Sequence, residues 1–168
     1  FRGQVRQRPG GLAFLGTTTD DHMGYFTARF DSGNEYSILL TLDDFVRISS
    51  GAWSVVAANV FTGTTNDYFA AKVINNKFYC TQGVDDLRSW ADGAGSTVDV
   101  TGAPGGRAIE DFADRCVLGH IRDSGTTYPQ RVQWSVSGDP DTWTGTGSGA
   151  TDLLISPGGI MNMLRVRS

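Results

Sequence analysis

Cysteine and histidine are scarce in this chain, two of each among 168 residues, which leaves little from which to build a metal centre. No CxxC or HxxxH spacing occurs and His22 lies far from His120, so neither a metal nor any other cofactor is expected. Cys80 and Cys116 fall in corresponding strand-like runs, where buried free thiols are expected; a disulfide would need Cα atoms within about 7 Å. No apolar run is long enough for a helix to cross a bilayer, and the opening lacks the basic, apolar, small-residue order of a secretory signal. The chain begins at Phe1 rather than methionine, as expected of a segment of something longer, a processed product or an incomplete start. Excess positive charge is also lacking: 14 Lys and Arg against 18 Asp and Glu give a net charge of −4, with no general pull toward nucleic acid or anionic membrane. The arginines are uneven, however. Arg2, Arg6 and Arg8 crowd the start and Arg165 and Arg167 the end, either as an edge for an acidic partner or passing DNA, or as solvated terminal charge.

What the chain does have is glycine, 22 residues of it, interleaved with Ser, Thr, Asn and Asp between short apolar runs. That pattern predicts many tight turns and an all-β fold. Only 39% of residues are hydrophobic, but 11% are aromatic and four are tryptophan. Large flat side chains fill the space between stacked sheets with few rotamers to freeze, so core packing is favoured over ligand stacking.

Three stretches repeat at just over forty residues. Each opens with an apolar run: Tyr36 to Leu40, Val73 to Cys80, Arg115 to Gly119. A large apolar residue ends a second run at Ile48, Trp90 and Trp134, and a further anchor follows at Trp53, Val98 and Trp143. This period predicts antiparallel β-propeller-like blades, units that cannot bury their own faces and must stack on neighbours. The repeat units are 25–60, 66–102 and 107–155, with the start of another at 156–168. About three to four blades are too few for most propellers to close, so the missing ones come from outside these residues or from partner subunits.

Along the chain, Pro9-Gly10-Gly11 predicts a turn into an apolar run from Leu12 to Leu15, followed by a loop over 17–24. Hairpins are predicted for Tyr25–Phe30 with Glu35–Leu42, for Phe45–Ile48 with Trp53–Val56, and about the two-residue turn Asn75-Asn76. Ala108 to Asp114 has an i, i+4 pattern that suits a short helix, but its place in the repeat argues for a strand.

Arg131-Val-Gln-Trp-Ser-Val-Ser-Gly-Asp-Pro-Asp-Thr-Trp143 closely resembles an R-V-x-W-S-x-x-G-D-P-x-x-W signature in tail proteins of short-tailed, podovirus-like phages. Phe78 to Asp85 is similar to an lyf-x-n-G-x-D element one blade earlier in those proteins, and Arg8-Pro-Gly10 to their early R-P-G turn. The family is the tail nozzle, or tail tubular protein B-like, group. The resemblance implies a structural virion protein at the distal end of the tail, a ring of identical subunits, usually sixfold. Such a ring meets adaptor and fibre proteins, retains the genome and lets DNA pass at ejection, without stable membrane insertion. Full nozzle proteins are several times longer than this chain. The physical content of the signature is a turn staple in which Arg131, Trp134, Ser135, Gly138, Asp139, Pro140 and Trp143 shape a blade corner. The residue before Pro140 is pushed toward extended geometry, and its carboxylate can accept turn amides. Sialidase-type Asp boxes, S-x-D-x-G-x-x-W, use related chemistry, and Ser137 to Trp143 matches them in part.

No enzyme constellation is evident. Gly145 to Gly149 and Gly93 to Gly95 are too short for a phosphate fingerprint and read as turns. The pairs Asp20-Asp21, Asp43-Asp44 and Asp85-Asp86 read as solvated turn residues, since neighbours on a strand point to opposite faces. A propeller glycosidase would need carboxylates from different blades on one channel, for which Asp85, Asp114 and Asp139 are the candidates, with His22 or His120 as acid–base groups. A carbohydrate- or receptor-binding module of a tail, using exposed Trp and Asp or Asn loops, is the alternative to the nozzle reading.

Overall fold

The computed structural model describes residues 21–49, 51–153 and 158–164. Among them the chain is all-β, with no helix. Twelve strands form three four-stranded antiparallel sheets, each a meander of consecutive strands. The first sheet is β1 (His22–Arg29), β2 (Glu35–Thr41), β3 (Phe45–Ser49) and β4 (Ala52–Ala57). The second is β5 (Ala70–Ile74), β6 (Lys77–Thr81), β7 (Arg88–Ala91) and β8 (Val98–Asp99). The third is β9 (Gly105–Phe112), β10 (Arg115–Asp123), β11 (Thr126–Trp134) and β12 (Gly149–Asp152).

Three hairpins are closed by two residues that both take positive φ: Asn75-Asn76 (45° and 61°), Ala113-Asp114 (52° and 57°) and Ser124-Gly125 (49° and 81°). This is the geometry whose twist matches that of the flanking strands. Asn and Asp tolerate it better than most side chains because their short polar groups bond locally.

The sheets stack in chain order, each front face against the back of the next. Between first and second, Ile38, Leu40 and Phe45 meet Phe78, Cys80 and Trp90 in one buried cluster. Phe45 and Phe30 both contact the Trp90 ring, with centroids 5.8 and 5.6 Å away. Between second and third, Tyr79, Leu87 and Ile74 meet Cys116, Leu118, Ile121 and Trp143. The middle sheet is therefore covered on both faces, Phe78 and Cys80 looking back and Tyr79 looking forward, as the alternation of a strand requires. Each such fully buried aliphatic or Phe side chain contributes on the order of 1.5–3 kcal/mol. The opening strands lie near one another, β1 against β5 and β5 against β9.

A bulge sets the third sheet. Register slips between Gly119 and Ile121, where His120 has φ 55°, and opposite it the pairing of β11 jumps from Val132 to Tyr128. The slip returns Ile121 to the same face as Leu118 and accommodates Pro129, which cannot donate to a ladder.

Some expectations stand and others are corrected. The strand from Tyr25 begins earlier, at His22, inside the segment read as a loop, because Leu42 N–H bonds the Asp21 carbonyl and extends the pairing. Ala108 to Phe112 is strand, paired to β10. Ile48, Trp90 and Trp134 do occupy the third strand of each sheet, and Trp53 and Val98 the fourth. Trp143 does not; it lies in the turn before β12, and the fourth strand is Gly149–Asp152. Residues 158–164, read as opening another unit, form no strand and run across the front of the third sheet, where Ile160 N–H bonds the Pro129 carbonyl at 2.8 Å. The predicted turn at Pro9, the strand from Leu12 to Leu15, Arg2, Arg6, Arg8, Arg165 and Arg167 all lie outside the described residues.

Candidate functional site

The segment from Arg131 to Trp143 divides between two surfaces. Ser135 is fully buried; its Oγ accepts the Cys116 N–H at 3.0 Å, while its own N–H bonds the Cys116 carbonyl. Gly138 turns the chain with φ 77°. The Asp139 carboxylate accepts the Thr142 hydroxyl at 2.7 Å and the Asp141 amide at 3.1 Å, and those bonds, the Thr142 hydroxyl first, hold its pKa below the ordinary carboxylate value. Trp143, 4% exposed, donates its indole N–H to the Pro140 carbonyl at 2.9 Å and enters the cluster between second and third sheets. The corner thus drives a tryptophan between sheets. Trp134 and Arg131 face elsewhere. Trp134 lies on the front of the third sheet over Gly149, where a Cβ would come within 2.8 Å of the ring. Arg131 forks onto Asp152 at 2.8 and 3.1 Å and stacks over Tyr128 at 3.7 Å.

Sequence reading did not find the polar latches that bind each sheet to the next. Asp92, after β7, accepts Ser32 Oγ at 2.6 Å and Asn34 Nδ2 at 3.1 Å, both from the β1–β2 turn. These bonds, with one from Tyr36, depress its pKa. Asp31 N–H donates to Asn76 Oδ1 at 2.7 Å across the same junction. At the next junction Asp141 accepts the Tyr79 hydroxyl at 2.8 Å and pairs with Lys77, while Asn75 Nδ2 donates to the Gly138 carbonyl at 3.1 Å. Burial first, then the bond to Asp141, raises the Tyr79 pKa, so the phenol remains a donor. The signal available was the second-strand tyrosine itself: Tyr36 and Tyr79 each reach an aspartate of the following sheet.

The glycosidase candidates are not brought together. Asp114 sits in the β9–β10 turn, beside the Gly138 amide that bonds its carbonyl, and Asp139 is next to it. Asp85 is in the β6–β7 connection at the opposite end of the strands, bonded to Thr62 and, at 2.5 Å, to Gln82 Nε2. Asp139, held ionised by its turn, is also the wrong form for a general acid. His22 opens β1 on an exposed edge. His120 is held by its bulge against Gly159, and burial, then Arg107, lowers its pKa. Cys80 and Cys116 are free and lie in different inter-sheet layers; burial pushes the Cys80 thiol up to about 12 and raises Cys116 as well.

Two hollows remain. A groove of about 300 Å³ runs between the edge of the second sheet and the Asp141 turn, lined by the polar Lys77, Ser89, Ser96, Asp99, Thr101 and Asp141 and by the apolar Ala91, Ala94, Val98 and Val100. No tryptophan lines it. An apolar groove of about 290 Å³ crosses the front of the third sheet, lined by Phe112, Arg115, Val117, Val132 and Trp134. No group of three or more His, Cys, Asp or Glu among the described residues is placed to hold a metal. Compared with known proteins, the chain matches no family model, and no curated protein matches it.

Proposed function

We propose that this chain is a structural element of a phage tail nozzle, its three sheets serving as blades of a propeller-like wall around the DNA channel. The observation that supports the reading is the front-to-back stacking of meander sheets with their opening strands adjacent, locked by the Asp92 and Asp141 latches. Stacked sheets of this kind form a rigid, extensible wall and need no reaction centre. The signature from Arg131 to Trp143 acts as a staple inside that wall, with Trp143 as its anchor. In this reading the protein is a virion component, not an enzyme, assembled with identical subunits into a ring, sixfold as the resemblance implies. Adaptor and fibre proteins are its neighbours and viral DNA only passes through. The test is mass spectrometry of purified particles together with assays of glycan turnover. Presence at fixed stoichiometry in particles without turnover supports the reading; absence from particles, or glycan hydrolysis, defeats it.

The groove beside the Asp141 turn favours a second reading, a carbohydrate-binding module. Its hydroxyls and paired charges suit a sugar, though no aromatic platform lines it. Saturable glycan binding that Thr101→Val and Ser96→Ala weaken would favour this reading over the first.

A further inference from the structure

We propose that residues 158–164 form an acid-released strap over the front of the third sheet, with His120 as the group that lets it go. The proposal stands whether or not the nozzle reading holds. Ile160 donates its N–H to the Pro129 carbonyl at 2.8 Å, which ties the strap to β11. A Cβ on Gly119 would meet Ile160 Cγ2 at 2.9 Å and Met163 Sδ at 3.2 Å, so glycine leaves the room in which the strap sits. Gly119 pairs with Val132, which lines the apolar groove together with Phe112, Val117 and Trp134. The strap therefore borders that groove.

Beneath the strap lies the bulge residue. His120 takes φ 55°, a backbone conformation that Gly or Asn meets at less cost, and such an outlier points to a use for the imidazole itself. Its Nδ1 is buried and has no hydrogen-bond partner. A Cβ on Gly159 would lie 2.8 Å from that nitrogen and 3.1 Å from Pro129 Cβ, so the strap backbone passes directly over the ring. The neutral imidazole can carry its proton on Nε2 and leave Nδ1 bare; the cation makes Nδ1 a donor with no acceptor beneath the strap. From β9, Arg107 stands opposite His120 in the ladder and is paired with Asp67. β11 brings Tyr128 and Arg131, the latter forked onto Asp152, and β10 itself brings Arg122. The strap, Gly-Gly-Ile-Met-Asn-Met-Leu, has no ionisable side chain. Burial first, then the Arg107 charge, hold the His120 pKa below its ordinary value, and a backbone contact with Ile160 works the other way. The seated strap thus favours the neutral ring, whereas a ring released into water titrates near about 6.5. Seating is complete above that pH and is lost progressively as pH falls through it.

The experiment is NMR-detected hydrogen exchange of the whole chain from about pH 7.5 to about pH 5, corrected for the intrinsic effect of pH on exchange. Protection of the Ile160 amide is expected to fall about fivefold or more, the low end of what one coupled site supplies. The Cys116 amide, bonded to Ser135 Oγ inside the third sheet, is expected to keep its protection. His120→Asn removes the titration and suits the positive φ, so Ile160 protection in this variant is expected to be level with pH; His120→Gly replaces it if it fails to fold. An Ile160 amide that is open at neutral pH, or equally protected throughout in wild type, overturns the proposal. So does a fall that persists without His120, or one shared by Cys116, which would mean that acid loosens the sheet rather than the strap.

Discussion

Replacing Trp143 by alanine probes the staple more sharply than any other substitution. The side chain is 4% exposed among Tyr79, Leu87, Val100, Cys116 and Leu118, so its removal opens a cavity between second and third sheets. Large-to-small changes of this type cost about 3–5 kcal/mol. The indole also satisfies the Pro140 carbonyl, and a buried acceptor left alone costs about 1–3 kcal/mol. Part of that overlaps with the cavity term, so about 4 kcal/mol is the working figure for Trp143→Ala, and about 1–3 kcal/mol for Trp143→Phe, which refills most of the volume but not the hydrogen bond. Trp134→Ala is the control. That ring lies half-buried on an outer face and its loss should cost less than half as much. With a urea slope of about 2 kcal/mol per molar, Trp143→Ala lowers the unfolding midpoint by about 2 M. Equal midpoint shifts for Trp143→Ala and Trp134→Ala would show that the signature tryptophan is not the anchor between sheets.

Acid should loosen the latch between first and second sheets. The folded pKa of Asp92 is depressed, chiefly by the Ser32 hydroxyl, so its stabilisation is present above the unfolded value of about 3.9 and lost as pH falls through the folded one. Thermal melts from about pH 5 downward should therefore fall more steeply for wild type than for Asp92→Asn, and parallel curves would count against the latch. Asp86 behaves oppositely: burial first, then Asp99, Asp123 and Asp85, raise its pKa, so its ionised form is held at a cost that disappears as pH falls through the raised value. Asp86→Asn should raise the melting temperature at neutral pH, with the gain shrinking in acid; a lower melting temperature at neutral pH would contradict this. The thiols of Cys80 and Cys116 should resist a thiol reagent in the native protein and react at the rate of unfolding, whereas prompt labelling of either would show that its layer is open to solvent.

The sheets were legible from the sequence because blades repeat their large anchors, and Ile48, Trp90 and Trp134 do share the third-strand position. The period misled at Trp143, whose spacing fits a fourth strand but whose indole is tied to Pro140 in a turn. Local chemistry revealed Asn75-Asn76 but not Ala113-Asp114, since alanine is no turn former and takes positive φ there only because the flanking strands impose it. The first half of β11 was hidden by Pro129, an unlikely strand residue that the bulge at His120 makes room for. The latches were out of reach for another reason. Ser32 and Asp92 are sixty residues apart, and nothing in the neighbourhood of either names the other.

That this chain is building material for a ring of identical subunits is tested most directly by the mass of the purified wild-type chain in native solution. A closed assembly at a whole multiple of 18.1 kDa, persisting on dilution, is what the stacking leads one to find. A lone chain at 18.1 kDa at every concentration would contradict it.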